Sequence, residues 1–421
     1  MSKRKQKVTQ TSKLENRIKP LFLKTKPLFL ICMSTFSKTG KSIRQISMQS
    51  YAKTYAVFSR LGLRSSIKQV LLQGSAAFRR IGTRQKIAAL LVILLLFPAL
   101  WIRNFYRGLY SPNVAGNYML FIREKDNFDQ VVKQLQQNGC LTKVETFRRV
   151  ARFKDYDNNL HPGAYKVQKG WSNNQLINIL RSGAQTPVMV TFNSIRTLEE
   201  LAGKIARQLQ SDSLSFIKLF KNDSSTLKLG FKKETLPALF IPNSYSLYWT
   251  TTPQAFLTRM KYEYDKFWNE TRKGKAKSIG LTTDQVATLA SIVQEESNKA
   301  EDKPVIAGVY INRLHKDWPL QADPTIRFAL GDFGIRRILT TQLAVESPYN
   351  TYLNPGLPPG PINIPEISSL EAVLNFKVHD YYYFCAKEDF SGYSNFAKTL
   401  SEHNRNAKKY QEALNKIKVY K

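Results

Sequence analysis

The chain has 421 residues and a formal net charge of +33 at pH 7. This length exceeds one average domain and predicts two or three folded units. The three cysteines form no C-x-x-C pair and no plausible metal set, so the composition excludes a cysteine-based redox or metal centre. We expect no metal and no cofactor. Cys140 and Cys385 either pair with each other or remain buried free thiols.

A net charge this high is typical of nucleic-acid binding, but it is distributed unevenly along the chain. Residues 1–86 contain 20 Lys and Arg and one acidic residue, Glu15, which gives +19 and leaves +14 for the other 335 residues. We predict that residues 1–86 form a basic cytoplasmic tail that is disordered or lies on anionic lipid. Nucleic-acid binding by this tail is the alternative, but no fold motif supports it and no nucleic-acid partner is expected.

An apolar run follows the basic tail. Residues 87–102 read IAALLVILLLFPALWI and contain no charged side chain. With Lys86 and Arg103 at its ends, this run predicts a transmembrane signal anchor over residues 87–103. A buried core helix and a cleaved signal peptide are the alternatives. Because Lys and Arg are in excess before the run, we expect a single-pass protein with its N terminus in the cytoplasm and its bulk on the other side of the membrane.

A short strand followed by a capped amphipathic helix is predicted three times after the apolar run. The strands are YMLFI, GAYKV and VMVTF, and the helices begin after Asn127, Ser172 and Thr197. Gln or Glu follows each cap by three residues, as in a capping box, and a glycine closes each of the first two helices. The pattern predicts an α+β fold. Such units resemble the LysM-like modules that bind glycans containing N-acetylglucosamine, and we assign residues 112–187 to a module of this kind.

Residues 188–280 are predicted to form a second α+β or linking region. Its aromatic segment LFIPNSYSLYWTT either packs in a core or stacks on sugar rings. A helix is predicted over residues 253–269. A Lys-rich turn over residues 272–277 is then predicted to mark the boundary to the last unit, residues 281–421.

The segment TDQVATLASIVQEES begins this last unit and predicts a helix with Asp284 as its N-cap. Its apolar residues recur at steps of three and four, and Glu296 follows Val293 by three residues on the same face. Glu295 is rotated about 100° away. A carboxylate on an apolar stripe loses hydration, which raises its pKa and suits it to donate a proton. A salt-bridged residue at the end of a helix is the alternative for Glu296.

Four motifs in a fixed order follow this helix. They are VYINRL, LQADPTIRFALG, ESPYNTYLNPGLPPGPINIPEISSLEAVLN and YYYFCAKEDFSGYSNFAKTLSEHN. Together with ASIVQEES, they closely resemble the catalytic domain of the YceG-like family of endolytic murein transglycosylases, over roughly residue 281 to the C terminus. The resemblance implies an enzyme of the bacterial inner membrane, with a LysM-like module and a mixed α+β catalytic domain outside the cytoplasm.

The resemblance also implies a catalytic residue, because the last acidic residue of the family's helix motif matches Glu296. Gln294 stands where the family has an earlier glutamate, and Ser394 stands where its closing motif often has a histidine. A single carboxyl group then protonates the glycosidic oxygen and accepts a proton from the muramyl 6-hydroxyl, leaving a 1,6-anhydro end. Nascent peptidoglycan glycan strands are the expected substrate, and peptidoglycan synthases are expected partners. The alternative is a catalytically silent peptidoglycan-binding or scaffold protein.

Further side chains from these motifs are candidates for substrate binding, because their polar or aromatic groups can bind sugar hydroxyls, acetamides or rings. Packing in turns or in the core is the alternative for each, and Asp323 before Pro324 is also a common helix N-cap. The predicted substrate-binding residues are Gln321, Asp323, Thr325, Asn350, Thr351, Tyr352, Phe396, His403 and Asn404.

Overall fold

The computed structural model describes residues 82–335 and 337–416. The predicted basic tail therefore lies outside the described residues, apart from residues 82–86. The chain divides into two compact units, with the boundary between Ser111 and Pro112.

The described part of the first unit is helix α1, Thr83–Tyr110, which contains Pro98. Within the described ranges, no helix has both the length and the apolar character needed to cross a membrane. The signal anchor over residues 87–103 stays a prediction.

The second unit begins with a β-α-α-β-α arrangement. Strand β1, Tyr118–Ile122, pairs antiparallel with β2, Gly163–Val167. Between them lie α2, Phe128–Gln137, and α3, Val144–Phe153, and α4, Asn173–Ser182, follows β2. The caps and capping boxes predicted at Asn127 and Ser172 are confirmed.

A second β-α-β arrangement follows at once. Strand β3, Val188–Phe192, pairs antiparallel with β4, Asn243–Leu247. Between them lie α5, Leu198–Ala206, α6, Ser213–Phe220, α7, Asp223–Leu227, and a 3₁₀ turn, Leu236–Leu239. Thr197 caps α5 as predicted, but the Glu200 carboxylate accepts from the Arg196 N–H at 2.9 Å instead of completing a capping box.

The two arrangements share their internal spacing. In each, the first helix cap lies nine residues after the first residue of the first strand. In each, a tyrosine of the second strand donates its hydroxyl proton to the carbonyl oxygen four residues earlier. A helix cap then follows that tyrosine by seven residues, at Ser172 after Tyr165 and at Thr252 after Tyr245. Residues 118–182 and 188–267 therefore repeat one supersecondary plan.

The remainder of the second unit is mainly helical. Its helices are α8, Pro253–Phe267, α9, Glu270–Ser278, α10, Thr283–Glu296, α11, Lys303–Leu314, α12, Asp323–Leu330, α13, Ile367–Leu374, and α14, Leu400–Lys416. A second 3₁₀ turn spans Thr340–Ala344, and an antiparallel hairpin pairs β5, Tyr383–Ala386, with β6, Ser394–Ala397.

Local hydrogen bonding corrects three of the predicted boundaries. The predicted Lys-rich turn at residues 272–277 lies within α9, because Asn269 caps this helix by accepting from the Arg272 N–H. Asn269 is therefore not the end of α8, which stops at Phe267. Thr282, not Asp284, caps α10, because its extended backbone lets Oγ accept from the Gln285 N–H.

Cys140 and Cys385 are free thiols.

One buried hydrophobic cluster joins residues from Val190 to Leu374, so the second arrangement and the helices after it share a core. A backbone bridge between Ile195 and Ile364 supports this connection. Eight consecutive residues of α10, from Val286 to Val293, are buried. The helix therefore runs through the core and ends at its margin with Glu296.

Candidate active site

Glu296 is the last residue of α10, and the backbone turns to an extended conformation at Ser297. The inward residues of the preceding turns, Val286, Leu289, Ala290 and Val293, are fully buried. The predicted stripe is therefore present, and it places a partly exposed carboxyl group at the edge of an apolar interior. The side chains of Gln294 and Glu295 point elsewhere: Gln294 Oε1 accepts from the Glu366 N–H at 2.6 Å, and the Glu295 carboxylate accepts from the Asn363 side-chain amide at 3.1 Å.

The Glu296 carboxylate has one direct hydrogen-bond partner among the described residues, Tyr310 on α11. The Tyr310 hydroxyl donates to Glu296 Oε1 at 2.7 Å, and the tyrosine itself is 1% exposed. Burial of the carboxyl group raises the pKa of Glu296 to about 7, and the hydrogen bond from Tyr310 opposes this rise. The direction agrees with the prediction from the apolar stripe.

Three charged side chains also act on the Glu296 carboxylate. The negative charge of Asp323 raises the pKa of Glu296, whereas the positive charges of Arg327 and Arg313 lower it. Arg313 is 8% exposed and is held by two carbonyl oxygens, of Tyr382 at 2.8 Å and of Leu320 at 2.6 Å. Two backbone carbonyl oxygens therefore set its position, and within the described ranges it acts on Glu296 through its charge without forming an ion pair.

Asp323 is the first residue of α12, and Ala322 occupies the N-cap position. Asp323 is therefore not the N-cap, which was the alternative to its predicted role in substrate binding. The carboxylate accepts a hydrogen bond from the Tyr352 hydroxyl at 2.6 Å. Burial and this bond raise the pKa of Tyr352, so its proton stays in place to hold Asp323. Asp323 and Tyr352 are thus brought together beside Glu296.

Thr325, Asn350 and Thr351 are at most 1% exposed and bond within the protein. The Asn350 amide donates to the carbonyl oxygens of residues 343 and 345 at 2.9 and 2.8 Å. The hydroxyls of Thr325 and Thr351 lie 2.9 Å apart, and that of Thr351 accepts from the Ala322 N–H. Burial leaves these three no surface for direct contact with a glycan, so they position the segments that carry Asp323 and Tyr352.

Gln321 is exposed and has φ +51, a left-handed conformation that a residue other than glycine seldom adopts. Its N–H donates to the Thr351 carbonyl oxygen at 3.0 Å, which fixes this strained backbone directly before α12. Strain of this kind is concentrated at functional sites. The Gln321 side chain stays a candidate for substrate contact.

The remaining predicted residues lie on the hairpin and on α14. Phe396 on β6 stacks on Tyr381 with ring centroids 5.8 Å apart. His403 on α14 stacks on Tyr383 at 5.5 Å, and burial, with the positive charge of Arg313, lowers the pKa of its imidazole. Asn404 is exposed. Among the described residues, neither His403 nor Asn404 forms a hydrogen bond or ion pair with Glu296.

Tyr310, Arg313 and Arg327 are the side chains near Glu296 that sequence reasoning missed. Tyr310 and Arg313 stand at i and i+3 in VYINRL, so one helical face carries both, and this spacing was the available signal. Arg327 lies one turn after Asp323 on α12, and its buried Nε has no hydrogen-bond partner among the described residues. The part of the chain that the structure describes contains no cluster of His, Cys, Asp or Glu suited to a metal ion.

A carboxyl group whose pKa is raised to about 7, held by a buried tyrosine at the margin of an α+β core, is the kind of group that general acid–base catalysis uses. The family follows from comparison with known proteins. The model of the YceG-like family matches residues 120–409, and the chain belongs to this family.

Two relatives are named endolytic murein transglycosylase. That of Bacillus subtilis strain 168 is 31% identical over 296 residues, which cover 67% of this chain and 81% of the relative. That of Streptococcus pneumoniae strain D39 is 30% identical over 316 residues, which cover 68% of this chain and 57% of the relative. The crystal structure of a YceG-like protein from Listeria monocytogenes aligns with a TM-score of 0.48 and 26% identity, over 69% of this chain and 98% of that one.

Proposed function

We propose that this chain is a peptidoglycan lyase, an endolytic lytic transglycosylase that uses Glu296 as its only general acid and base. Membership of the YceG-like family and the names of its relatives support the reaction class. The observation that carries the assignment of the residue is the Glu296 carboxyl group, whose pKa is raised to about 7 by burial while Tyr310 fixes it at 2.7 Å. A group with this pKa can both donate and accept a proton near neutral pH.

The reaction needs one carboxyl group in two protonation states. Protonated Glu296 donates its proton to the oxygen of the bond between N-acetylmuramic acid and N-acetylglucosamine, and that bond breaks. The muramyl 6-hydroxyl then attacks C1 of the same sugar and gives its proton to the Glu296 carboxylate. The products are a 1,6-anhydro end and a free hydroxyl, and Glu296 is protonated again. Because an intramolecular hydroxyl replaces water, no second catalytic carboxylate is needed.

Asp323 has a supporting role in this proposal. Its carboxylate is held by Tyr352 at 2.6 Å and interacts electrostatically with Glu296. A fixed negative charge there favours the protonated form of Glu296 and stabilises positive charge that develops at C1 during bond breaking. Asp323 thus assists in charge stabilisation and in binding the sugar.

The proposal also covers where in the cell the protein acts and what cleavage does to a growing strand. We infer that residues 112–421 act outside the cytoplasmic membrane, where peptidoglycan lies, and that cleavage within nascent strands ends their elongation beside a synthase. The β-α-α-β arrangement of residues 118–167 supports a LysM-like, glycan-binding role for this part. The +14 charge beyond residue 86 suits a polymer that bears peptide carboxylates. Protease accessibility in spheroplasts tests the location.

Isotope labelling tests the reaction class. Peptidoglycan is digested in H₂¹⁸O with the full-length protein, and the new ends are analysed by mass spectrometry. The proposal predicts anhydromuramyl ends without ¹⁸O, because water takes no part in the step. Reducing ends with one ¹⁸O would identify a hydrolase, and the absence of new ends would identify a binding or scaffold protein.

A further inference from the structure

Four aromatic side chains form a continuous patch beside the candidate active site. We call them the aromatic platform: Trp318, Tyr382, Tyr383 and His403. The Trp318 ring lies 5.1 Å from that of Tyr382 and 6.3 Å from that of Tyr383, and Tyr383 stacks on His403 at 5.5 Å. The patch thus joins the end of α11, the start of β5 and α14.

Trp318 stays exposed although it contacts two other rings. Its relative exposure is 39%, and the remaining platform residues are half-buried. The preceding residue, Asp317, has φ +53, and the Trp318 N–H donates to the Arg313 carbonyl oxygen at 2.9 Å. A strained turn therefore presents a large apolar ring toward solvent, where burial in the core would have been the ordinary outcome for tryptophan.

The polar groups of the platform are available to a ligand. Among the described residues, none hydrogen-bonds to the hydroxyl groups of Tyr382 and Tyr383, whose backbones are held by α11 and β6. Lys316 Nζ lies 5.0 Å from the centre of the Tyr382 ring, and the Arg313 guanidinium carbon lies 5.6 Å from that of Tyr383. These two cations lie over faces of the tyrosine rings, so the exposed Trp318 ring supplies the apolar face of the patch and the tyrosine hydroxyls supply its polar edge.

Arg313 connects the platform to the catalytic carboxyl group. This buried guanidinium lies 5.6 Å from the centre of the Tyr383 ring, and its charge acts on Glu296. Tyr310, which bonds Glu296, stands three residues before Arg313 on α11, so one face of this helix connects the platform with the carboxyl group. A polymer that is cut at Glu296 can reach both places at once.

We propose that the aromatic platform is a distal subsite that stacks an N-acetylhexosamine ring of the same glycan strand, outside the pair of sugars that is cut. A pyranose ring has an apolar C–H face that packs on aromatic rings and an edge of hydroxyl and acetamide groups that accept from tyrosine and lysine. The inference rests on the proposed function for the identity of the polymer. A subsite at this place would make the protein prefer longer strands through contacts that lie away from Glu296.

Binding without turnover tests the subsite. Full-length protein carrying Glu296→Gln is titrated with uncross-linked glycan strands whose stem peptides have been removed, and the dissociation constant is measured calorimetrically. Addition of Trp318→Ala is expected to weaken binding at least tenfold, and Trp318→Phe is expected to recover part of the loss. The control is Tyr262→Ala, which removes an aromatic ring that is 60% exposed on α8 and is expected to leave affinity unchanged.

Turnover gives a second measurement with Glu296 intact. Trp318→Ala is expected to raise KM for long strands severalfold, to change kcat by less than twofold and to leave the cleavage of short fragments unaltered. Equal affinity of the Trp318→Ala and parental proteins, or a parental protein that does not bind the strands, would overturn the subsite. A wild-type protein that binds strands through Trp318 but forms no anhydro ends would instead overturn the proposed reaction.

Discussion

Glu296 carries an ionisable carboxyl group and yet lies at the end of a buried apolar stripe, where a charged group is unfavourable. Burial raises its pKa to about 7, and Tyr310 and two arginines limit the rise. The group is therefore poised to change its charge near neutral pH, which is useful for catalysis and unfavourable for stability.

The pH dependence of activity follows from this balance at the residue scale. Because the first step needs protonated Glu296, kcat/KM is expected to be level below pH 7 and to fall about tenfold per pH unit above it. Tyr310→Phe removes the hydrogen bond that lowers the pKa of Glu296, so the falling limb is expected to move to higher pH. The measurement is kcat/KM between pH 5 and 9 for both proteins. An identical limb in both would show that Tyr310 does not tune this carboxyl group.

Folding stability gives an independent prediction for Glu296→Gln. The ordinary pKa of Glu296 is 4.5 and its pKa in the folded protein is about 7. The folded state therefore holds more protons between these values, and the wild type loses stability as pH rises from 4.5 to 7. The amide of Glu296→Gln does not titrate. At pH 8 the free energy of unfolding of the variant is therefore expected to exceed that of wild type by up to about 3 kcal/mol, a figure that the partial exposure of the side chain reduces. At pH 4 the two proteins are expected to be nearly equal in stability.

Urea unfolding at pH 4 and pH 8 measures this difference. Glu295→Gln is the matched control, because the neighbouring carboxylate bonds Asn363 and an amide oxygen can still accept that bond. A gain for Glu296→Gln that is the same at both pH values would contradict the raised pKa.

At the scale of elements, α11 carries Tyr310 and Arg313 and is packed closely against the segment before β5. A Cβ atom on Gly308 would lie 2.5 Å from the Lys377 carbonyl oxygen and 2.6 Å from His379 Nε2, which bonds the Val305 carbonyl oxygen at 2.9 Å. The close approach fixes the face of α11 that reaches Glu296, and only glycine allows it.

Gly308→Ala is therefore expected to destabilise the protein by about 1–3 kcal/mol through overpacking and to reduce activity by displacing Tyr310. Gly274→Ala on α9 is the control, since a Cβ atom there meets nothing within 4 Å. That change is expected to be neutral or to stabilise by about 0.5–1 kcal/mol. Thermal melts and activity of both variants provide the comparison, and equal stability of the two would refute the close-packing argument.

Most local features of the fold were predictable, because strands, caps and the apolar stripe depend on neighbours in sequence. The strands YMLFI, GAYKV and VMVTF and the caps Asn127, Ser172 and Thr197 are present as expected. Contacts between distant segments were not predictable. Tyr310 reaches Glu296 only through the packing of α11 on α10, and Asn350 and Thr351 are buried because their loop folds onto α12.

At the scale of the whole molecule, charge separates the chain into a strongly basic first part and a moderately basic remainder. The sequence predicted the separate strand–helix units but not that they form two copies of one β-α-β plan. The second copy has a longer helical segment between its strands than the first, so the repeat is not evident from sequence spacing. That second copy shares its core with α10 and thereby supports the helix that ends at Glu296.

The +14 charge beyond residue 86 leads to a prediction on salt dependence. Raising NaCl from 50 to 500 mM screens attraction between this surface and peptide carboxylates, so KM for strands that carry stem peptides is expected to rise severalfold. Strands stripped of their peptides carry fewer charges and are expected to respond less. Steady-state kinetics on both substrates measures the difference, and an equal response to salt would argue against electrostatic recruitment.

The assignment of Glu296 is tested most directly by counting the anhydromuramyl ends that full-length wild type, Glu295→Gln and Glu296→Gln proteins release from peptidoglycan at pH 6. Wild type and Glu295→Gln are expected to release them at similar rates, whereas Glu296→Gln is expected to be slower by a factor of about 100 or more. Release by Glu296→Gln at the wild-type rate, with the protein folded, would contradict the assignment.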